Sequence, residues 1–91
     1  MMFYTTEQNG LIEALDANNN EELARATQVH GANVETWIVE AEFGPFHVQR
    51  TAHDTPTANV RVSQFATLAY LVQCENITPE RAVLLLTRQG A

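Results

Sequence analysis

Three histidines, one cysteine and eleven carboxylates are the groups in this sequence able to hold a metal, attack a carbonyl or move a proton. A zinc site needs three or four ligands converging at about 2 Å, and the candidates are His30, His47, His53, Asp54 and Cys74. No close pair of His or Cys has ligand spacing, so neither a metal nor another cofactor is expected. His30 reads as a residue near the carboxy end of a helix, His47 as a partner of Glu42, and Cys74 as a small buried filler. A nucleophilic Cys74 would need exposure and a histidine base, yet it is expected among apolar helical neighbours, with Glu75 beside it disfavouring the thiolate. Ser63 lacks a G-x-S-x-G context and reads as a helix cap. The acid pairs Glu21/Glu22 and Glu40/Glu42 read as a helix start and a solvated strand face rather than as acid–base couples. Gly10, Gly31, Gly44 and Gly90 are isolated, so no loop cradles a phosphate. No catalytic residue is assigned, and the protein is expected not to be an enzyme.

The carboxylates are distributed unevenly. Residues 1–49 carry eight of them against Arg25 alone, a balance of −7, whereas residues 50–91 carry three against Arg50, Arg61, Arg81 and Arg88, a balance of +1. Lysine is absent, and the whole chain has a net charge of −6. A sign-segregated surface steers oppositely charged partners and repels nucleic acid, so direct nucleic-acid binding is not expected. The two carboxy-terminal helices suggest a helix-turn-helix, but the second presents Ala82 to Leu86 where a recognition helix needs a basic polar face.

Positioning these groups falls to elements read from periodicity and punctuation. Ninety-one residues make one domain, 1–91, with a single core and a hydrophobic content of 45% that suffices to form one. Thr5 and Thr6 can cap a helix carrying Leu11, Ile12 and Leu15, although Asn9-Gly10 also suits a hairpin turn, which leaves residues 5–17 as helix or hairpin. Asn18-Asn19-Asn20 breaks the chain, and Asn20 can cap a second helix that opens with Glu21 and Glu22, contains Leu23, Ala24 and Ala26, and stops at His30-Gly31. From Asn33 the period becomes two: Trp37, Val39, Ala41 and Phe43 alternate with Ile38, Glu40 and Glu42. If Gly44-Pro45 form a two-residue loop, Phe43 faces Phe46, Ala41 faces Val48, Val39 faces Arg50 and Trp37 faces Ala52. His53 to Thr57 reads as a loop and Val60-Arg61-Val62 as a short third strand, after which Ser63 caps a helix containing Phe65, Leu68, Ala69, Leu71 and Val72. Thr78-Pro79-Glu80 starts a last helix running to about Gln89, closed by Gly90. The expected fold class is α+β: an antiparallel hairpin of two or three strands with two N-terminal and two C-terminal helices, in the order ααβ(β)βαα.

Binding to another protein is the function these features favour. The expected partner-binding residues are Glu7, Glu13, Asp16, Glu21, Glu22, Glu35, Glu40 and Glu42, which would draw a basic surface of the kind that holds nucleic acid; the alternative for this acidic half is a surface that only solubilises the protein. The protein is thus read as a small acidic inhibitor or regulator acting on a larger protein, of the class that phages and mobile elements use against host machinery. The rings near the hairpin tip, Trp37, Phe43 and Phe46, would serve as anchors if exposed, but they read first as core residues. The alternative is a structural subunit that forms a homodimer or higher oligomer through Val83, Leu84, Leu85 and Leu86, apolar on all sides of the last helix. The longest apolar run has five residues, so no membrane span is expected. The start Met1-Met2-Phe3-Tyr4 has no secretory pattern, which makes a cytoplasmic location the expectation.

Overall fold

Residues 2–88 are described in the computed structural model. Five strands come first: β1 (Phe3–Gln8), β2 (Leu11–Asp16), β3 (Glu22–Gln28), β4 (Trp37–Phe43) and β5 (Phe46–Ala52). Two helices follow, α1 (Thr55–Gln73) and α2 (Pro79–Arg88). The strands form one antiparallel sheet in sequence order, β1-β2-β3-β4-β5. The expected pair of amino-terminal helices is therefore wrong, and the expected hairpin is only the last two strands of a larger sheet; the order is βββββαα within an α+β domain.

The first error has a local cause. Asn9 (φ 53°) and Gly10 (φ 76°) both take positive φ, which makes a two-residue turn of the primed type and closes β1 onto β2. Beyond it, Ile12, Ala14 and Asp16 are buried while Leu11, Glu13 and Leu15 are half-buried, a period of two that overrides the apparent helical spacing of Leu11, Ile12 and Leu15. The second error concerns residues 21–30. Asn20 does not cap a helix; with φ 61° it closes the β2–β3 turn, its N–H donating to the Asp16 carbonyl at 2.8 Å. Alanine at 14, 24 and 26 looks helical by propensity, but here its small size is what counts. The buried side of α1, with Ala58, Ala66 and Ala69 among its residues, lies over these strands, and methyl groups on both layers permit a close approach.

The β4–β5 hairpin has the anticipated register, with Phe43 opposite Phe46 and Trp37 opposite Ala52. Gly44 adopts φ 59° in its loop, and a Cβ there would stand 2.6 Å from Pro79 Cγ, so the hairpin tip packs directly on the start of α2.

α1 begins earlier than expected. Asp54 caps it, accepting from the Thr57 N–H at 2.7 Å, with Pro56 in the first turn; residues 60–62 lie inside the helix and Ser63 caps nothing. Val60-Arg61-Val62 resembles a strand only through its β-branched ends. α1 ends with the Asn76 N–H donating to the Leu71 carbonyl and the Glu75 N–H to the Val72 carbonyl, Glu75 holding φ 60°. α2 starts at the expected cap, where Thr78 Oγ1 accepts from the Arg81 N–H at 3.1 Å. The expected stop at Gln89 and Gly90 lies outside the described residues.

Both helices cover one side of the sheet, where Ile12, Val39, Phe43, Val62, Phe65 and Leu86 are fully buried. Phe65 meets Phe43 edge-on at 6.4 Å between ring centres. The opposite side of the sheet has no covering layer among the described residues. No described helix is long and apolar enough to cross a membrane.

Candidate interaction surface

Alternation along the strands decides which acids share a surface. On the uncovered side, strand pairing sets Glu13 beside Arg25, Arg25 beside Glu40, and Glu42 beside His47. Glu22 joins them from the start of β3, so four carboxylates stand on three neighbouring strands with one guanidinium between them.

Arg25 is engaged chiefly by Glu22, through two bonds of 2.8 Å from Nε and Nη2, and stands 4.0 Å from Glu13. Burial pushes the Glu22 carboxyl upward, but the bonds from Arg25 and from Glu13 outweigh it and hold Glu22 below the ordinary carboxylate range. Glu13 moves the other way, raised first by its hydrogen bond with Glu22 and then by burial, against the weaker pull of Arg25. The Arg25 guanidinium is in turn raised by Glu22. His47 bridges the other two acids, Nε2 lying 3.0 Å from Glu40 and Nδ1 3.2 Å from Glu42. A neutral imidazole carries one N–H and can donate to only one of them, whereas the protonated ring donates to both.

The sheet opens between these groups. β3 and β4 pair from Arg25/Glu40 to Gln28/Trp37 and no further toward the β3 amino end. A bulge explains the parting: Ala14 pairs with Ala24 but Leu15 with Glu22, so Leu23 is the extra residue, and Leu23 and Ala24 are consecutively buried. The bulge bends β3 away from β4. A cleft of about 300 Å³ results, lined by Glu22, Arg25, Glu40, Glu42 and His47, by the buried Ala24, Ala41 and Ala69, and by the exposed Gln73 at the end of α1.

The other four expected contact residues stand elsewhere. Asp16 is 4% exposed and accepts from the Asn18 N–H at 2.7 Å, a turn-forming role. Glu35, in the β3–β4 connection, accepts from Trp37 Nε1 and Thr55 Oγ1, both at 2.8 Å, and ties that connection to α1. Glu7 belongs to the helix-bearing side, near Asn59 of α1. Glu21 is exposed in the β2–β3 turn. Among the aromatic candidates Trp37 and Phe43 are core residues, and Phe46 is 39% exposed. In α2, Leu86 is fully buried, Val83 and Leu85 pack against the core, and Leu84 alone of the four is exposed, at 51%.

Cys74 is exposed at the α1 terminus rather than buried, and His30 lies in the β3–β4 connection rather than at a helix end. Among the described residues no three His, Cys, Asp or Glu side chains converge as a metal site would require. The part that Ala24, Ala41, Ala69 and Gln73 play in lining the cleft had no signal in the sequence, because the parting of β3 from β4 follows from a bulge that only the strand pairing reveals. Compared with known proteins, the chain matches no family model, no curated protein and no solved structure.

Proposed function

We propose that this protein is a non-enzymatic binding module, a small acidic inhibitor or regulator that occupies a basic, nucleic-acid-binding type of surface on a larger protein. The observation that carries this reading is the uncovered sheet side, where Glu13, Glu22, Glu40 and Glu42 gather on adjacent strands and Arg25 is the one arginine that ion-pairs with them among the described residues, with His47 between Glu40 and Glu42. A rigid sheet holds these carboxylates at fixed spacing, so a matching set of cations meets them at little cost in side-chain ordering. The cleft beside them has room for one partner side chain, and a guanidinium or ammonium group suits its mouth of acids. Of the eight acids expected from the sequence, these four form the proposed contact, with Glu21 at the rim.

The test is capture from cell extract by the immobilised protein at about 50 and about 300 mM salt, beside a variant with Glu13, Glu22, Glu40 and Glu42 all replaced by glutamine. Nucleic-acid-binding proteins should be retained at low salt, released at high salt, displaced by added double-stranded DNA, and lost with the variant. Retention that is indifferent to salt, to DNA and to the four substitutions would overturn the proposal.

A further inference from the structure

The two edges of the sheet are treated differently. In β5 the closing pair of the hairpin is Phe43/Phe46, so Phe46, Val48, Arg50 and Ala52 bond inward to β4 while His47, Gln49 and Thr51 turn their backbone groups outward. The Gln49 carbonyl on that edge is already taken by Arg50 Nη1 at 2.7 Å, and a cationic side chain laid over an edge is a standard block to further pairing. β1 has no such guard. It runs six residues without proline, bulge or cation, in unbroken register from Phe3/Asp16 to Gln8/Leu11, and Tyr4 to Gln8 are all exposed.

The same logic fixes which groups of β1 face out. The two-residue turn makes Gln8/Leu11 a bonded pair, and the Ala17 N–H donates to the Met2 carbonyl at 3.1 Å, so even-numbered residues bond to β2. Phe3, Thr5 and Glu7 therefore direct their N–H and C=O away from the sheet.

These three residues are complementary to themselves. Set antiparallel to a second β1 with Thr5 opposite Thr5, Phe3 falls opposite Glu7 at both ends, and all six outward N–H and C=O pairs close at once. Antiparallel pairing keeps opposed residues on one side of a sheet, which this register satisfies. No like charges oppose each other, and threonine beside threonine is a favourable cross-strand pair. We infer that two copies of this chain join through β1, Thr5 lying on the twofold axis, to make one continuous ten-stranded sheet. The axis runs perpendicular to the sheet, so the helices of both copies lie on one side and the two acidic faces adjoin on the other.

Sedimentation over a range of protein concentrations, with amide exchange on the wild-type chain, tests the inference. A dimer should form in which the amides of Phe3, Thr5 and Glu7 become protected as concentration rises, and it should tighten as salt screens the charge of −6 on each copy, the opposite of the salt effect on partner capture. Thr5 is exposed, so Thr5→Glu and Thr5→Lys should fold as the wild type does; each should be monomeric by placing like charges on the axis, and mixing the two should restore a one-to-one dimer. A wild-type monomer at all concentrations, or a dimer that both substitutions leave intact, would overturn the inference.

Discussion

Glu13 and Glu22 share one guanidinium unequally, and the inequality is testable by pH. Glu22 is lowered in the folded state, so its contribution to stability is present above the unfolded carboxylate value of 4.5 and is lost as pH falls through the folded value. Glu13 is raised, so the folded protein retains a proton that the unfolded chain has released, and stability declines as pH rises through that window. Replacing Glu13 by glutamine keeps a donor for Glu22 and removes the second charge. Glu13→Gln should match or exceed the wild type at pH 7, by no more than about 1 kcal/mol for so open a pair, and lose its advantage below pH 4. Urea unfolding at the two pH values decides it. A variant clearly weaker at pH 7 would mean that the 4.0 Å approach of Glu13 to Arg25 outweighs its encounter with Glu22.

Element ends carry the clearest strain. The α1 terminus makes both bonds of a glycine-type stop, yet its left-handed position is filled by Glu75 at φ 60°. Glycine there removes the contact between Cβ and backbone that L-residues suffer, so Glu75→Gly should stabilise the protein by about 0.5–1 kcal/mol, read as a higher urea midpoint at unchanged slope. A loss of stability would show that the Glu75 side chain makes a compensating contact. Ends of this kind were also where the sequence was most legible: Thr78-Pro79-Glu80 and Gly44-Pro45 each have residue types that fit one local geometry and few others. β4 was legible because large apolar and charged residues alternate along it. β1 to β3 were not, since Ala14, Ala24 and Ala26 are selected by the closeness of α1, a tertiary fact that looks like helix propensity when α1 is out of view. His53 to Thr57 reads as loop because capping residues and turn residues are the same types. The site inherited both outcomes. Glu40 and Glu42 were placed on one strand face from the start, whereas Glu7 and Asp16 could be separated from Glu13 only once their segments were known to be strands.

The whole molecule measures about 40 × 27 × 20 Å and carries a net charge of −6, dimensions comparable to the range of electrostatic force in dilute salt. That range is about 30 Å at 0.01 M and about 10 Å at 0.1 M, so in dilute salt each acid is repelled by nearly all the others, and at higher salt only by its neighbours. The unfolded chain spreads the same charges further apart, so screening favours the folded state. Against this, salt also weakens the attraction of Arg25 for Glu22 and Glu13. Such open pairs contribute little individually, and the surplus of carboxylates prevails. The melting temperature at pH 7 should therefore rise by a few degrees between 0.01 and 0.2 M sodium chloride, equivalent to about 1 kcal/mol for a chain of this size. With Glu13, Glu22, Glu40 and Glu42 replaced by glutamine the dependence should flatten, because the four substitutions take the net charge from −6 to −2. A melting temperature that falls with salt would show that paired charges, rather than the unopposed acids, govern the electrostatics of the fold, and would remove the basis for attraction to a cationic partner.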